Sequence, residues 1–436
     1  MRILKAGSRG FEKYLFDLER RWVQEGFHLE EDVRSILNRV REEGDKALIH
    51  YSRLFDGLRI PVDHLRVKPL EIREAYRNVS RELLKTLEVA ASRIRRFHQP
   101  RNGPPAAYRE PGIQLRELIK PFERVGIYVP GGKAAYPSTV LMAAIPARAA
   151  GVEEILMTTP PQRDGIHPAV LVAADLAGVD RIYKVGGVQA IGALAYGTES
   201  IPKVDKIVGP GNRYVAMAKK LVYGTVDIDM VAGPSEIVIV SDDKTPPAFI
   251  AADLISQAEH DEMALAVLIT TSEKFGEKVR KELERQLTSL KRKKIAQKSL
   301  RQRGAILIVE RMDQAVELVN RIAPEHLELS VSNPHALAQK VKHAGAIFLG
   351  PYTPEAIGDY LAGPNHILPT AGTARFSSPL GVSDFMKRTN LIYFSRKALR
   401  GFEKHVKEFT ECEGLEGHYR AVQSRMKAPA NAESKR

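Results

Sequence analysis

A carboxylate and an imidazole stand side by side at Glu325 and His326, in the segment APEHLELS (323–330). The residues that follow alternate apolar and polar side chains as a strand does, and Pro324 biases Ala323 toward extended backbone. Because consecutive residues of a strand point to opposite faces, the two side chains could act on different protons of one reaction. An exposed Glu–His pair at the start of a strand is also typical of a solvated loop, and this segment alone leaves both interpretations open.

A second group of polar residues could hold a metal ion. Gln257 and His260 are three residues apart in the predicted helix DLISQAEH (253–260), a spacing that places both on one helix face but also occurs by coincidence on exposed helices. Further oxygen and nitrogen donors follow in EAIGDYLAGPNHILPT and ECEGLEGHYRA, namely Asp359, His366, Glu413 and His418. The set contains no sulfur and is compatible with Zn²⁺, Mn²⁺ or Co²⁺.

Composition and cysteine content limit the class of protein. The chain has 436 residues, 44% hydrophobic and 27% charged, which is typical of a soluble globular protein with two or three domains. The single cysteine, Cys412, excludes an internal disulfide bond and a thiolate metal site. The segment MRILKAGSRGFEKY lacks the apolar core of a signal peptide, and no apolar run reaches the roughly 18 residues of a membrane span. We expect a cytoplasmic protein that binds no membrane.

The formal net charge of +13 raises the possibility of a nucleic-acid partner. The basic residues cluster in LKRKKIAQKSLRQR (290–303), but no aromatic residues are interleaved with them to stack on bases. We therefore expect a solubilising surface and no nucleic-acid partner.

Short strand-like segments alternate with helix-length segments from about residue 123, beginning with RVGIYV, EEILMTT and RIYKVG, and a second such array begins near residue 246. This alternation predicts parallel sheets covered by helices, with ligands gathered where the strands end. Residues 28–100 and the last 50 or so residues show helical periodicity instead. The predicted fold class is α/β, with two parallel-sheet units that carry helices on both faces, a helical N-terminal lead-in and a C-terminal helical tail.

Glycine-rich turns follow several predicted strands. Gly209-Pro210-Gly211-Asn212 has two of the glycines of a dinucleotide fingerprint but lacks the third. The helix after Gly211 could present its amide hydrogens to a phosphate, and similar turns occur at 128–138, 185–198 and 231–236. Each alone is also typical of an ordinary tight turn.

Nine segments, in this order and across about nine-tenths of the chain, closely resemble histidinol dehydrogenases: GIYVPGG, GGVQAIGALAYGT, KIVGPGN, AGPSE, DLISQAEHD, PEHLEL, GDYLAGPNHILPT, SSPLGVSDFMKR and GLEGHYRA. The resemblance implies an enzyme that oxidises L-histidinol to L-histidine through the aldehyde and consumes two NAD⁺ for each histidinol. It implies one zinc ion per subunit. It also implies a homodimer that exchanges C-terminal segments, and a Rossmann-like NAD domain without the standard glycine fingerprint.

Carried over residue by residue, the resemblance assigns roles to twelve positions. It implies that the catalytic pair is Glu325 and His326, and that the zinc ligands are Gln257, His260, Asp359 and His418. The NAD-binding residues are Tyr128, Gln189 and Asn212. The substrate contacts are Ser235, His366 and Glu413, together with His326 and the four zinc ligands. Because of the exchange, Glu413 and His418 are expected to complete the site of the partner subunit.

Four regions are predicted. Residues 1–23 pack with the tail, and residues 24–127 and 240–378 form a first α/β domain with the zinc and catalytic residues. Residues 128–239 form the NAD-binding domain, and residues 379–436 form the exchanged dimerisation segment.

Two hydride transfers from one carbon, with a hydration between them, require two separate proton acceptors or one that is used repeatedly. We expect His326, with an ordinary pKa near 6.5, to accept the hydroxyl proton and Glu325 to activate the water that adds to the aldehyde. The alternatives from other classes are a metal-dependent hydrolase, which needs no dinucleotide, and a basic nucleic-acid-binding protein.

Overall fold

The computed structural model describes residues 1–21, 27–99, 106–131 and 135–427. Its strands are β1 (Arg2–Lys5), β2 (Ala107–Glu110), β3 (Ile113–Pro121), β4 (Arg124–Tyr128), β5 (Glu154–Thr158), β6 (Arg181–Tyr183), β7 (Lys206–Val208), β8 (Asp227–Ile228), β9 (Glu236–Ser241), β10 (Leu265–Thr270), β11 (Ala305–Ile308), β12 (His326–Ser330), β13 (Ala346–Leu349) and β14 (Met386–Phe394).

The helices are α1 (Arg9–Glu19), α2 (Phe27–Glu43), α3 (Asp45–Phe55), α4 (Pro69–Arg77), α5 (Arg81–Phe97), α6 (Pro137–Ala150), α7 (Pro168–Ala177), α8 (Gly187–Tyr196), α9 (Arg213–Val222), α10 (Pro247–Ala258), α11 (Glu273–Leu287), α12 (Lys293–Gln302), α13 (Met312–Ile322), α14 (Pro334–Ala338), α15 (Glu355–Tyr360), α16 (Arg396–Glu413) and α17 (Glu416–Lys427). Short 3₁₀ turns occur at Val62–His64, Thr373–Arg375 and Val382–Phe385. Within the described ranges, no helix has both the length and the apolar character that a bilayer span requires.

The chain divides into two compact units. The first comprises Met1–Gln99 and Phe122–Phe385, and the second comprises the described residues of Pro100–Pro121 and Met386–Arg436. The first unit contains two sheets in which every strand pairing is parallel, ordered β1-β11-β10-β9-β12-β13 and β6-β5-β4-β7-β8. The predicted α/β class with two parallel-sheet units is therefore confirmed.

The six-stranded sheet is buried on both faces, which explains why its central strands are nearly continuous apolar runs. Alternate side chains of β9 enter two different cores. Val238 and Val240 pack with residues of α1 and α13 on one face. Ile237 and Ile239 pack with residues of α10, α11 and α12 on the other.

Two segments near the predicted domain boundaries make contacts that the sequence did not indicate. Residues 2–5 form the edge strand β1, which pairs with β11; the expected contact of residues 1–23 with the tail stays a prediction. Helix α2 packs on α8 and α9, beside the five-stranded sheet, whereas residues 24–127 were grouped with the six-stranded sheet; the domain bounds stay a prediction. Gly192 of α8 permits this approach, because a Cβ there would lie 3.2 Å from the side chain of Val40.

The second unit contains a three-stranded antiparallel sheet in addition to the two helices that the sequence predicts. Strand β14 pairs with β3 from Met386↔Pro121 to Phe394↔Ile113, and β3 pairs with β2. Most residues of β14 are exposed, so its sequence lacks the apolar alternation of a half-buried strand, and the pattern gave no sign of it. Residues 22–26, 100–105 and 428–436 of the predicted regions lie outside the described residues.

The loop after β7 depends on a glycine. Gly209 has a φ of 117°, and a Cβ at this position would overlap the carbonyl oxygen of Tyr128 at the end of β4. Gly224 has a similar φ of 98°, but nothing lies within 4 Å of its Cβ position. A substitution at Gly224 therefore tests backbone strain alone, whereas one at Gly209 adds steric overlap.

We predict that Gly209→Ala lowers the free energy of unfolding by about 2–3 kcal/mol, because backbone strain and overlap add. The matched control Gly224→Ala should cost about 1 kcal/mol, since only backbone strain applies. Denaturant unfolding of both variants measures the difference. Equal costs would show that β4 and the Gly209 turn do not approach each other closely.

Candidate active site

The predicted catalytic pair lies at the amino end of β12, beside the start of its neighbour β9. His326 is the first residue of β12 and is paired in register with Ile237. The sequence led us to expect ligand groups at the carboxyl ends of strands. Tyr128 and the Gly209 turn do lie at carboxyl ends of strands in the five-stranded sheet, and their role as ligand groups stays a prediction, whereas Glu325 and His326 lie at an amino end. Both side chains are buried, which removes the interpretation of the pair as a solvated loop.

One residue, Glu236 at the start of β9, binds both members of the pair through its backbone. Its N–H donates to Oε2 of Glu325 at 2.8 Å, and its carbonyl oxygen accepts from Nδ1 of His326 at 2.9 Å. A carbonyl can only accept a hydrogen bond, so Nδ1 of His326 carries a hydrogen. In the neutral ring, Nε2 therefore holds the free lone pair.

The free nitrogen of His326 is in a position to act as a base. Nε2 is buried and has no hydrogen-bond partner among the described residues, and it lies 3.8 Å from Oδ1 of Asp359. Burial lowers the pKa of His326, and the charge of Asp359 opposes this effect. The neutral form, which accepts a proton, is thus favoured near neutral pH.

The pKa of Glu325 is shifted in the opposite direction to that of His326. Burial raises its pKa well above the ordinary value, the N–H of Glu236 lowers it, and the charges of Glu236 and Asp359 raise it. Its Oε2 lies 3.7 Å from Nδ1 of His326. A nearby cation would favour the carboxylate form that a base requires.

The residues predicted to bind metal converge only in part within the first unit. His260, Asp359 and one further residue, Glu355, have potential ligand atoms within 4.8 Å of one another. His260 lies just past the end of α10, where its N–H donates to the carbonyl of Gln257 at 3.2 Å, so the predicted pairing of these two residues occurs across a helix end. His260 is exposed, whereas Glu355 is buried.

Gln257 contacts this cluster through Glu355. The amide orientation that satisfies both groups places Nε2 at 2.7 and 2.9 Å from the two carboxylate oxygens of Glu355. This orientation is inferred from the hydrogen bonds. It leaves the amide oxygen, the atom able to coordinate a metal, uncommitted to Glu355.

Glu355 is the residue of this cluster that was not predicted from the sequence. It precedes Asp359 by four residues on α15, a spacing that places two carboxylates on one helix face and could have indicated it. Burial raises its pKa well above the ordinary value, and the charges of Asp359, Glu325, Glu328 and Asp253 raise it further. Its backbone N–H donates to Oε1 of Glu328 at 2.8 Å.

Two further carboxyls lie behind Glu355. Burial raises the pKa of Asp253 to about 6 and that of Glu328 well above its ordinary value. So many carboxyls in one buried region cannot all be ionised without compensating positive charge. The donor set and this excess of buried acid fit a divalent cation held beside His260 and Asp359.

The predicted substrate contacts have different placements. Nδ1 of His366 donates to the carbonyl of Asp359 at 2.8 Å, and its Nε2 lies 3.4 Å from Oγ1 of Thr139 on α6. Ser235 is half-buried and directly precedes β9. Glu413 and His418 are exposed residues of the second unit, at the end of α16 and in α17, and their role at a partner's site stays a prediction.

The predicted NAD-binding residues lie around turns of the five-stranded sheet. The Tyr128 hydroxyl accepts from the N–H of Gly187 at 3.2 Å. Gln189 is buried, and its Oε1 has no hydrogen-bond partner within the described chain. Asn212 caps α9 by accepting from two backbone N–H groups, so its side chain also has a structural role. Of the turn at 128–138, residues 132–134 lie outside the described residues.

The Gly209 turn is held by a buried ion pair. Lys219 of α9 pairs with Asp229 and donates to the carbonyl of Gly209 at 2.9 Å. Asp229 in turn accepts from the N–H of Gly209 at 2.8 Å. This arrangement fixes the backbone of the turn that the sequence suggested as a phosphate site.

Comparison with known proteins places the chain among enzymes of one kind. The family model described as histidinol dehydrogenase matches residues 19–426. The histidinol dehydrogenase of Clostridium acetobutylicum is 50% identical over 98% of this chain and 99% of its own length. That of Aquifex aeolicus is 52% identical over 91% of this chain and 92% of its own length.

A solved structure agrees with these sequence matches. The crystal structure of histidinol dehydrogenase from Elizabethkingia anophelis superposes with a TM-score of 0.91 at 38% identity, and the match covers 98% of each chain. The agreement extends over nearly the whole length in sequence and in structure. The chain belongs to the histidinol dehydrogenase family of oxidoreductases.

Proposed function

We propose that this enzyme oxidises L-histidinol to L-histidine through L-histidinaldehyde. Each histidinol would consume two NAD⁺, and each subunit would hold one zinc ion. The observation that carries the proposal is His326, whose buried Nε2 is left free by the Nδ1–H bond to Glu236 and lies beside the cluster of His260, Glu355 and Asp359.

The zinc ion would be held by Gln257, His260, Asp359 and the partner subunit's His418. Zinc supplies a Lewis acid that, with ligands of this kind, can still accept neutral nitrogen donors such as the imidazole and amine of histidinol. Glu355 would orient the amide of Gln257. Ser235, His366 and, from the partner, Glu413 would contact the substrate.

NAD⁺ would lie against Tyr128, Gln189 and Asn212 and supplies the hydride acceptor. The backbone turns at Gly187 and Gly209 lie beside these residues and would help to hold the cofactor. Residues 128–239 would form this cofactor domain, and residues 24–127 with 240–378 the domain of the metal and catalytic residues.

The chain's own residues provide the proton steps. His326 accepts the hydroxyl proton at Nε2 when the alcohol is oxidised, and the bond from Nδ1 to Glu236 stabilises the resulting imidazolium. Glu325 then takes a proton from the water that adds to the aldehyde. Both side chains are buried, so few water molecules compete with the substrate for them.

We further propose that the enzyme is a cytoplasmic homodimer in which residues 379–436 are exchanged between subunits, with residues 1–23 packed against the tail. Exposed apolar residues of the second unit support this, among them Ile392, Tyr393, Phe402 and Phe409, because exposed apolar residues that are grouped together often mark a protein–protein contact.

The function is tested by counting NADH formed per histidinol consumed. Zinc-loaded enzyme should form two NADH per histidinol, whereas metal-stripped enzyme should form almost none and regain activity when zinc is restored. Absence of NADH formation by the zinc-loaded enzyme would contradict the dehydrogenase function and favour a metal-dependent hydrolase with another substrate. Full turnover by the metal-stripped enzyme would contradict the zinc assignment.

If His326 and Glu325 accept protons in different steps, substitutions at these two positions should slow different steps. His326→Asn should keep its zinc and slow the alcohol step by on the order of 10²-fold or more, as expected for a lost general base. Glu325→Gln should slow the aldehyde step more than the alcohol step. Single-turnover NADH formation from histidinol and from histidinaldehyde measures the two steps separately.

The matched controls are His335→Asn and Glu310→Gln, because both residues are exposed and have no proposed role. Neither should change either step. Equal losses of both steps in Glu325→Gln would show that the two side chains do not divide the work in this way.

A further inference from the structure

We propose that Arg21 is a positioning residue, which orients Glu325 and His326 by clamping the side chain of Glu236. This inference rests on the proposed function for its link to turnover. Nε of Arg21 donates to Oε1 of Glu236 at 2.6 Å, and Nη2 donates to Oε2 at 3.1 Å. The two side chains are only 6% and 3% exposed. The pair is bidentate, which fixes direction as well as distance.

Arg21 also binds the segment that leads to the catalytic pair. Its Nη2 donates to the carbonyl of Ile322 at 3.0 Å, the last residue of α13, three positions before Glu325. Ala323, between them, has a φ of 48°, so the chain turns sharply there. Nη1 donates to the carbonyl of Leu18 at 2.8 Å, which fixes the guanidinium to the end of α1.

The guanidinium therefore links the two segments whose relative position defines the base. One is the start of β9, where the N–H and carbonyl of Glu236 bind Glu325 and His326. The other is the end of α13, from which the chain passes to that pair. If Glu236 shifts, the Nδ1–H bond is misaligned and Nε2 turns away from the substrate.

Stability alone does not account for such a pair. Removing two charges from water is costly, so a buried salt bridge is weak evidence for stability. Planar, two-point binding is the property that Arg has and Lys lacks. The geometry of the pair, with both partners tied to the backbone that holds the catalytic residues, points to orientation as its role.

The test compares Arg21→Met with Arg321→Met in the full-length, zinc-loaded enzyme. Arg321 is a suitable control because its Nε pairs with Glu19 at 2.9 Å, so it also joins α13 to α1, but it is far more exposed and does not contact Glu236. We expect Arg21→Met to lower kcat by about 10-fold to 100-fold, with KM for histidinol and bound zinc within about twofold of wild type. Arg321→Met should leave kcat unchanged.

Two further variants separate orientation from charge. Arg21→Lys keeps the charge but loses the two-point contact, and it should remain slow. The double variant Arg21→Met with Glu236→Gln removes both charges and should also remain slow. Full recovery of kcat in either variant, or wild-type kcat in Arg21→Met, overturns the proposal. If Arg21→Met does not fold, Arg21→Lys decides by the same criterion.

A second measurement does not depend on turnover. The hydrogen-bonded Nδ1 proton of His326, observed by NMR, should exchange faster with water in Arg21→Lys than in wild type, and Arg321→Met should match wild type. Unchanged exchange in Arg21→Lys overturns the positioning role. Failure of the wild-type enzyme to form NADH would instead refute the proposed function. The exchange rate of the His326 Nδ1 proton would still show whether Arg21 positions the ring.

Discussion

The peptide groups of Glu236 are the constraint on which the catalytic site depends. Strands β9 and β12 are parallel neighbours, so the start of one strand lies beside the start of the other. The N–H and carbonyl of Glu236 consequently bind Glu325 and His326, residues 89 and 90 positions away in the chain. The sheet thus sets both the ring orientation of His326 and the identity of its free nitrogen, before any ligand binds.

Burial of the site also shifts the pKa values of its ionisable residues. Burial raises the pKa values of Glu325, Glu328 and Glu355, while it lowers that of His326. Such a site favours a neutral base and disfavours uncompensated carboxylates. A divalent cation beside His260 and Asp359 would relieve the excess of acid, which makes metal binding and the state of Glu325 interdependent.

The sequence predicted the features that have a local pattern. Apolar strands alternating with helices predicted the two parallel sheets. The spacing of donors indicated Gln257 and His260, and the family resemblance added Asp359, which the structure brings together with His260. Arg21 was not identified because its side chain contacts Glu236, 215 positions away in the chain. Glu236 was not identified because it binds Glu325 and His326 through its backbone, and backbone groups leave no signature in side-chain patterns. Strand β14 escaped because its residues are mostly exposed.

We infer that neutral His326 carries its hydrogen on Nδ1 and leaves Nε2 free to act as the base. The most direct test is the ¹⁵N NMR spectrum of the enzyme labelled in its histidine rings, at neutral pH, with the His326 signals assigned by their loss in His326→Asn. We expect a protonated Nδ1 and an unprotonated Nε2. A hydrogen on Nε2, or a ring protonated on both nitrogens, would contradict it.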